Sequence, residues 1–110
     1  LTVADIEADR VGAARKFAAE YGCVLVLKGA NTVIATPKGE IFFNLTGNPG
    51  MATGGSGDLL SGIIVSLLAQ GFPADEAAKA GVYLHGEAGD KAAAKRGERA
   101  MLPSDMIKEL

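Results

Sequence analysis

Hydrophobic and polar positions alternate with three different rhythms along the chain. Val11, Ala14, Phe17 and Ala18 recur at helical spacing, which predicts a first helix over residues 4–20, broken near Asp9. Thr2 to Asp5 has the spacing of a capping box at its start, and Gly22 stops it. Cys23–Leu27 is a continuous apolar run of strand length, the pattern of a buried parallel strand. Thr32–Thr36 and Glu40–Asn44 flank the turn Pro37-Lys38-Gly39 and predict a β-hairpin. The stretch from Leu59 to Leu68 is almost wholly apolar, so the helix expected over residues 58–70 belongs in the interior of a layered domain. Gly71 ends it. A long helical stretch runs from Pro73 to Arg96 and stops at Gly97. Its Ala77, Ala78, Gly81, Ala88 and Gly89 suit close packing against a neighbouring helix. Ser104 is the expected cap of a short last helix over residues 105–109.

The candidate chemistry lies between the hairpin and the apolar helix, in Thr46-Gly-Asn-Pro-Gly-Met-Ala-Thr-Gly-Gly-Ser-Gly-Asp58. Five of the 15 glycines fall between Gly47 and Gly57. Glycine lets a ligand approach the main chain. A glycine-rich loop that opens a helix aims free N–H groups and the positive helix end at one point, which is an anion site. Asp58 stands where loop becomes helix. As an N-cap it needs no further explanation. Beside a phosphate it repels the ligand unless a metal ion or a proton transfer employs it. The loop is not a Walker loop, because Ser56-Gly57 follows Gly55 where Lys-Ser/Thr is required. It is not G-x-G-x-x-G either, because Leu60 follows Gly55 and Gly57 at the last position.

Composition narrows the class. The 110 residues suffice for one small domain, and 48% hydrophobic with 22% charged residues is ordinary for a globular protein. A net charge of −2 offers no basic surface for nucleic acid or acidic lipid. No apolar run approaches the ~20 residues of a membrane span, and a cytoplasmic location is expected. The lone Cys23 lies in an apolar run and reads as a small core residue. His85 is the single histidine, and Glu87 two residues on falls on another helix face. It reads as a packed or partly exposed residue, and a zinc site is not expected.

The thirteen residues from Thr46 to Asp58 resemble, without a gap, the phosphate-loop region of the ADP- or ATP-dependent NAD(P)H-hydrate dehydratases, within the ribokinase-like superfamily. Ser56 stands where Thr is more usual and keeps the hydroxyl. Lys28-Gly-Ala-Asn-Thr32 resembles the same family's nucleotide-contacting segment. The resemblance covers the whole chain but only the C-terminal part of the family's domain. It implies an α/β fold, the C-terminal part of a ribokinase-like three-layer domain: a mostly parallel sheet flanked by helices, with a β-hairpin. It implies dehydration of the 6S hydrate of NADH or NADPH at the expense of ADP or ATP, with Mg²⁺ on the nucleotide phosphates and ADP as the bacterial-type nucleotide.

Carried over residue by residue, the resemblance makes Asp58 the catalytic base, in contact with substrate. It makes Lys28, Gly29, Ala30, Asn31, Thr32, Asn48, Gly50, Met51, Thr53, Gly54, Gly55, Ser56 and Gly57 nucleotide contacts. The bland readings are a solvated Lys28 at a strand end, a common turn at Asn48-Pro49-Gly50, local hydroxyl caps at Thr53 and Ser56, and a packed Met51. The expected partners are the hydrated cofactor, further copies of the chain in a homo-oligomer, and the N-terminal part of the domain, with no nucleic acid and no membrane. Two other readings are a ribokinase-like kinase of a vitamin precursor or sugar, and a non-catalytic nucleotide-binding module.

Overall fold

The computed structural model describes residues 9–29, 31–48, 51 and 55–110. The chain divides into two units, Leu1–Asn44 and Leu45–Leu110. The expected capping box at Thr2–Asp5 and the first residues of the expected first helix lie outside the described residues.

In the first unit, helix α1 (Arg10–Tyr21) packs on a three-stranded sheet of order β1 (Leu25–Leu27), β2 (Thr32–Ala35), β3 (Ile41–Asn44). Asp9 caps α1, its carboxylate accepting the Gly12 N–H at 2.9 Å. Gly22 closes the helix in the left-handed region (φ 60°), which an L side chain adopts only with strain. Ala14 and Ala18, one turn apart, bury against Val33 and Ala35, with Val11, Leu25, Leu27 and Ile41 around them. The period-two alternation of β2 sends Val33 and Ala35 to the helix and Ile34 to the other face, where it is equally buried.

The hairpin β2–β3 forms as its sequence predicts. Val33 pairs with Phe43 and Ala35 with Ile41, and Gly39 takes φ 90° in the turn. Among the described residues the strand expected at Cys23–Leu27 pairs antiparallel and not parallel: β1 runs against β2, with Leu25 opposite Ala35 and Leu27 opposite Val33. The four residues between these strands are too few for a crossover, so the chain can only turn back. Each residue of β1 is half-buried, so the continuous apolar run reflects hydrophobicity on both faces.

The second unit contains α2 (Ser56–Ala69), α3 (Ala74–Arg96) and α4 (Pro103–Ile107). α2 starts two residues earlier than expected. Its N-cap is Gly55 at φ 93°, a conformation open to glycine, and Leu59 N–H bonds Gly55 C=O at 3.0 Å. Asp58 is therefore the third helical residue and not the cap. After α2, Gly71 (φ 95°) donates to Leu68 C=O and Phe72 to Leu67 C=O, the paired bonds of a Schellman stop. α3 keeps its expected bounds, with Asp75 and Glu76 in the first turn and Lys95 and Arg96 in the last, complementing the helix dipole. Gly81 lets α3 approach α2: a Cβ there would stand 2.6 Å from Ile64 Cγ1.

Ala88 and Ala92 of α3 form a core with Met101 and Met106, against which Met51 and Leu59 pack. α4 is capped at Leu102, not Ser104. Pro103 has its φ preset for the first helical position, and Asp105 Oδ2 accepts the Leu102 N–H at 2.8 Å. Within this unit α2 buries only Ser56 and Leu60, and Val65 is 62% and Leu68 44% exposed. No helix among the described residues is long and apolar enough to cross a membrane.

Candidate nucleotide and phosphate segments

The Lys28–Thr32 segment is the tip between β1 and β2, not the C-terminal edge of a parallel strand. Lys28, Gly29 and Asn31 are exposed, and Thr32 opens β2 with its hydroxyl 3.5 Å from Gly29 C=O. Arg10, at the start of α1, holds the tip. Its guanidinium donates to Leu27 C=O and to Asn31 C=O, both at 3.1 Å. Gly29 is tight because a Cβ there would overlap that guanidinium, with Arg10 Cζ at 2.8 Å. Nothing in the local sequence marks Arg10, since its partners lie 17 and 21 residues away.

The glycine loop is built against α3. Thr46 Oγ1 donates to Tyr83 C=O at 3.3 Å. Gly47 N–H and Asn48 Nδ2 each donate to the Asp90 carboxylate at 3.0 Å. Met51 N–H returns to Asn48 C=O at 3.1 Å, and the Met51 side chain lies over Gly89. A Cβ on Gly86 would overlap the Thr46 hydroxyl and stand 2.8 Å from its backbone carbon; one on Gly89 would overlap Met51 Sδ. These two glycines admit the loop, whereas a neighbouring helix was expected at Gly89. Of the candidate residues, Ala30, Gly50, Thr53 and Gly54 lie outside the described residues.

At the downstream end, Leu59 is the first amide bonded within α2, so the N–H groups of Ser56, Gly57 and Asp58 have no partner inside the helix. Gly55 is exposed and Gly57 half-buried, with its carbonyl accepting the Ser61 hydroxyl at 3.0 Å. The Asp58 carboxylate is exposed in the first turn. The Ser56 side chain is turned inward and buried, its Oγ 3.2 Å from His85 Nε2. The same ring nitrogen lies 2.9 Å from Ser56 C=O. His85 is packed, as its sequence setting suggests, but its partner sits 29 residues away and has no sequence signal.

Glu87, on another face, takes the Tyr83 phenol and Lys91, 3.0 Å away, as partners. The hydrogen bond from Tyr83, then that from Lys91, holds the Glu87 carboxyl below its usual range. Glu87 in turn raises the Tyr83 phenol, by accepting its hydrogen and by its negative charge. At the far end of α3, Lys95 is paired with Glu109 at 2.8 Å and Arg96 with Asp105 at 3.9 Å, so this basic turn is spoken for.

A glycine loop opens a helix that carries a carboxylate in its first turn, and the fold around it is of the ribokinase-like class. A ribokinase-like superfamily protein of Enterococcus faecalis superposes with a TM-score of 0.81 at 41% identity, over 94% of this chain and 35% of that one. The chain belongs to the NAD(P)H-hydrate dehydratase family, whose model matches residues 1–110. The ADP/ATP-dependent NAD(P)H-hydrate dehydratase of Bacillus subtilis, co-crystallised with ATP and Mg²⁺ and soaked with CoA, superposes with a TM-score of 0.89. It is 32% identical, over 99% of this chain and 42% of that one. The bifunctional NAD(P)H-hydrate repair enzyme of Moorella thermoacetica is 56% identical over 96% of this chain. The ADP-dependent (S)-NAD(P)H-hydrate dehydratase of Neisseria meningitidis is 57% identical over 81% of it. The chain spans 20% and 30% of the lengths of these two relatives.

Proposed function

We propose that this chain carries the phosphate loop and catalytic base of a nucleotide-dependent NAD(P)H-hydrate dehydratase. The observation that carries the reading is the start of α2, where three helix amides and an exposed carboxylate, Asp58, follow the glycine loop. In the proposed reaction Asp58 takes the proton of the hydrate's hydroxyl as that oxygen attacks the terminal phosphorus of the nucleotide. The phosphorus–oxygen bond to the leaving nucleotide breaks, and the amides of Gly55–Gly57 hold charge developing on the phosphoryl oxygens. Phosphate then leaves with the carbon–oxygen bond. The neighbouring carbon loses a proton, and the dihydronicotinamide is restored. With ADP the products are the reduced cofactor, AMP and phosphate, a carbon–oxygen lyase reaction.

Lys28, Gly29, Ala30, Asn31 and Thr32 are assigned to the nucleotide, with Asn48, Gly50, Met51, Thr53, Gly54 and Ser56 along the loop. The buried Ser56 hydroxyl and packed Met51 side chain favour main-chain contacts from these two residues. Mg²⁺ fits this donor set. Among the described residues no three His, Cys, Asp or Glu side chains gather, and magnesium needs only one or two carboxylates beside phosphates and water. When bound it neutralises phosphate charge. The exposed Val65 and Leu68 support the expectation that these 110 residues need cover, from the rest of a larger domain or from further copies. A cytoplasmic setting suits a cofactor-repair reaction.

The test is made on the full gene product carrying these residues. It is given hydrated NADH or NADPH, Mg²⁺ and either ADP or ATP, and recovery of dihydronicotinamide absorbance is followed. Nucleotide-dependent recovery is expected, with Asp58→Asn slowing it about 10²- to 10⁴-fold while ADP still binds. A phosphorylated product that accumulates without dehydration identifies a small-molecule kinase instead. ADP binding with no turnover identifies a binding module.

A further inference from the structure

A loop with five glycines in eleven residues carries a large ordering cost, which weakens any ligand it must be ordered by. Here the loop is tied at both ends to α3. Upstream, the Asp90 carboxylate accepts from Gly47 N–H and Asn48 Nδ2. Downstream, His85 Nε2 meets both oxygens of Ser56, the carbonyl at 2.9 Å and the hydroxyl at 3.2 Å. A carbonyl oxygen only accepts, so Nε2 carries the proton and donates. His85 is only 6% exposed, and a hydrogen bond there is stronger than one in water. The Ser56 carbonyl belongs to the first residue of α2, so this bond fixes the helix start that bears Asp58 two residues on. The amides of Ser56, Gly57 and Asp58 have no partner inside α2.

We propose that His85 and Asp90 are positioning residues, which pin the two ends of the phosphate loop to α3 so that those ends meet the nucleotide already in place. This rests on the reading of the loop as a phosphate site. It does not need the dehydration step, so binding and turnover are read separately.

The test uses the full gene product with ADP and Mg²⁺, measuring Kd by calorimetry, and kcat with KM for each substrate. His85→Leu removes the donor and is expected to weaken ADP about tenfold. KM for the nucleotide should rise in step, while KM for the hydrate moves little. His85→Gln offers an amide N–H near the position of Nε2 and should restore most of the affinity. Asp90→Asn presents a donor to a donor and should weaken ADP severalfold. A residue that merely supports the fold would lower the active fraction and leave these constants alone.

Wild-type ADP affinity in His85→Leu overturns the proposal, as does equal loss in the Leu and Gln variants. Should the variants fail to fold, amide exchange at Gly47 in the unaltered protein decides. Slow exchange without ADP supports the pin, and exchange at the free-peptide rate overturns it. If the unaltered protein binds no ADP, the proposal falls with the phosphate-site reading. If it binds ADP and leaves the hydrate untouched, only the dehydratase reading falls.

Discussion

The two candidate segments are held by opposite chemistry. The tip at Lys28–Thr32 is tied by a cation: Arg10 collects two main-chain carbonyls. The glycine loop is tied by an anion and an imidazole: Asp90 collects two N–H groups, and His85 donates to Ser56. The difference teaches how side chains of opposite charge fix the two kinds of main-chain group. At the tip, carbonyls that would repel an anion are turned to a guanidinium, which leaves positive charge beside an exposed lysine. At the loop, Asp90 occupies only the upstream amide, while the first amides of α2 stay unbonded within their helix. The glycines follow the same division. Gly29 clears the far end of a flexible arginine, whereas Gly86 clears the backbone of Thr46.

That contrast is sharpest in the glycine variants. Gly86→Ala forces a methyl group into Thr46, and overpacking of this kind costs about 1–3 kcal/mol, less the ~1 kcal/mol that alanine returns to a helix. We expect a lower melting temperature together with weaker ADP binding. An unchanged melting temperature would mean that the loop yields freely. Arg10→Met keeps the aliphatic stem and loses both bonds, one of them to an exposed carbonyl. A loss of about 1 kcal/mol is expected in denaturant unfolding, with Gly29→Ala costing less because the guanidinium can swing aside. If Gly29→Ala proves the costlier change, the tip is as rigid as the loop, and the contrast fails.

The smallest effect is spectroscopic. The Tyr83 phenol is raised above its ordinary value of 10.0 by Glu87. The folded state thus holds this proton more tightly than the unfolded chain. Its contribution is present below the unfolded value and is lost as pH rises through the folded one. Ultraviolet titration should show the Tyr83 phenol ionising late, and Glu87→Gln should bring it back towards 10.0. No movement would separate Glu87 from the α3 face that carries Thr46.

Much of this was legible from neighbouring residues. Gly22 and Gly39 need positive φ, Pro73 and Gly97 bound α3, and the β2–β3 pairing follows from alternation about a turn. The glycine-rich stretch that opens α2 was legible too, because five glycines crowd into eleven residues. Three readings failed where a local signal had a competing cause. The apolar run at Cys23–Leu27 fits a parallel or an antiparallel strand, and only the short link to Thr32 decides. Asp58 looked like a cap, yet Gly55 reaches the cap position first, since it alone takes φ 93° without strain. Ser104 lost its capping place because Pro103 is already preset for the helix. His85, Asp90 and Arg10 were silent because their partners lie 17 to 43 residues away, and no periodicity encodes such a distance.

The distance between Gly47 and Asp90 also sets a timetable. The hairpin and the α2–α3 pair join sequence neighbours and close early, at small entropic expense. The clasp between Gly47 and Asp90 spans 43 residues, and its acceptor lies in the last quarter of the chain. During synthesis the glycine loop is made before α3, so it has nothing to fasten to until α3 has followed it. Until then the loop lacks both of its anchors on α3, Asp90 and His85.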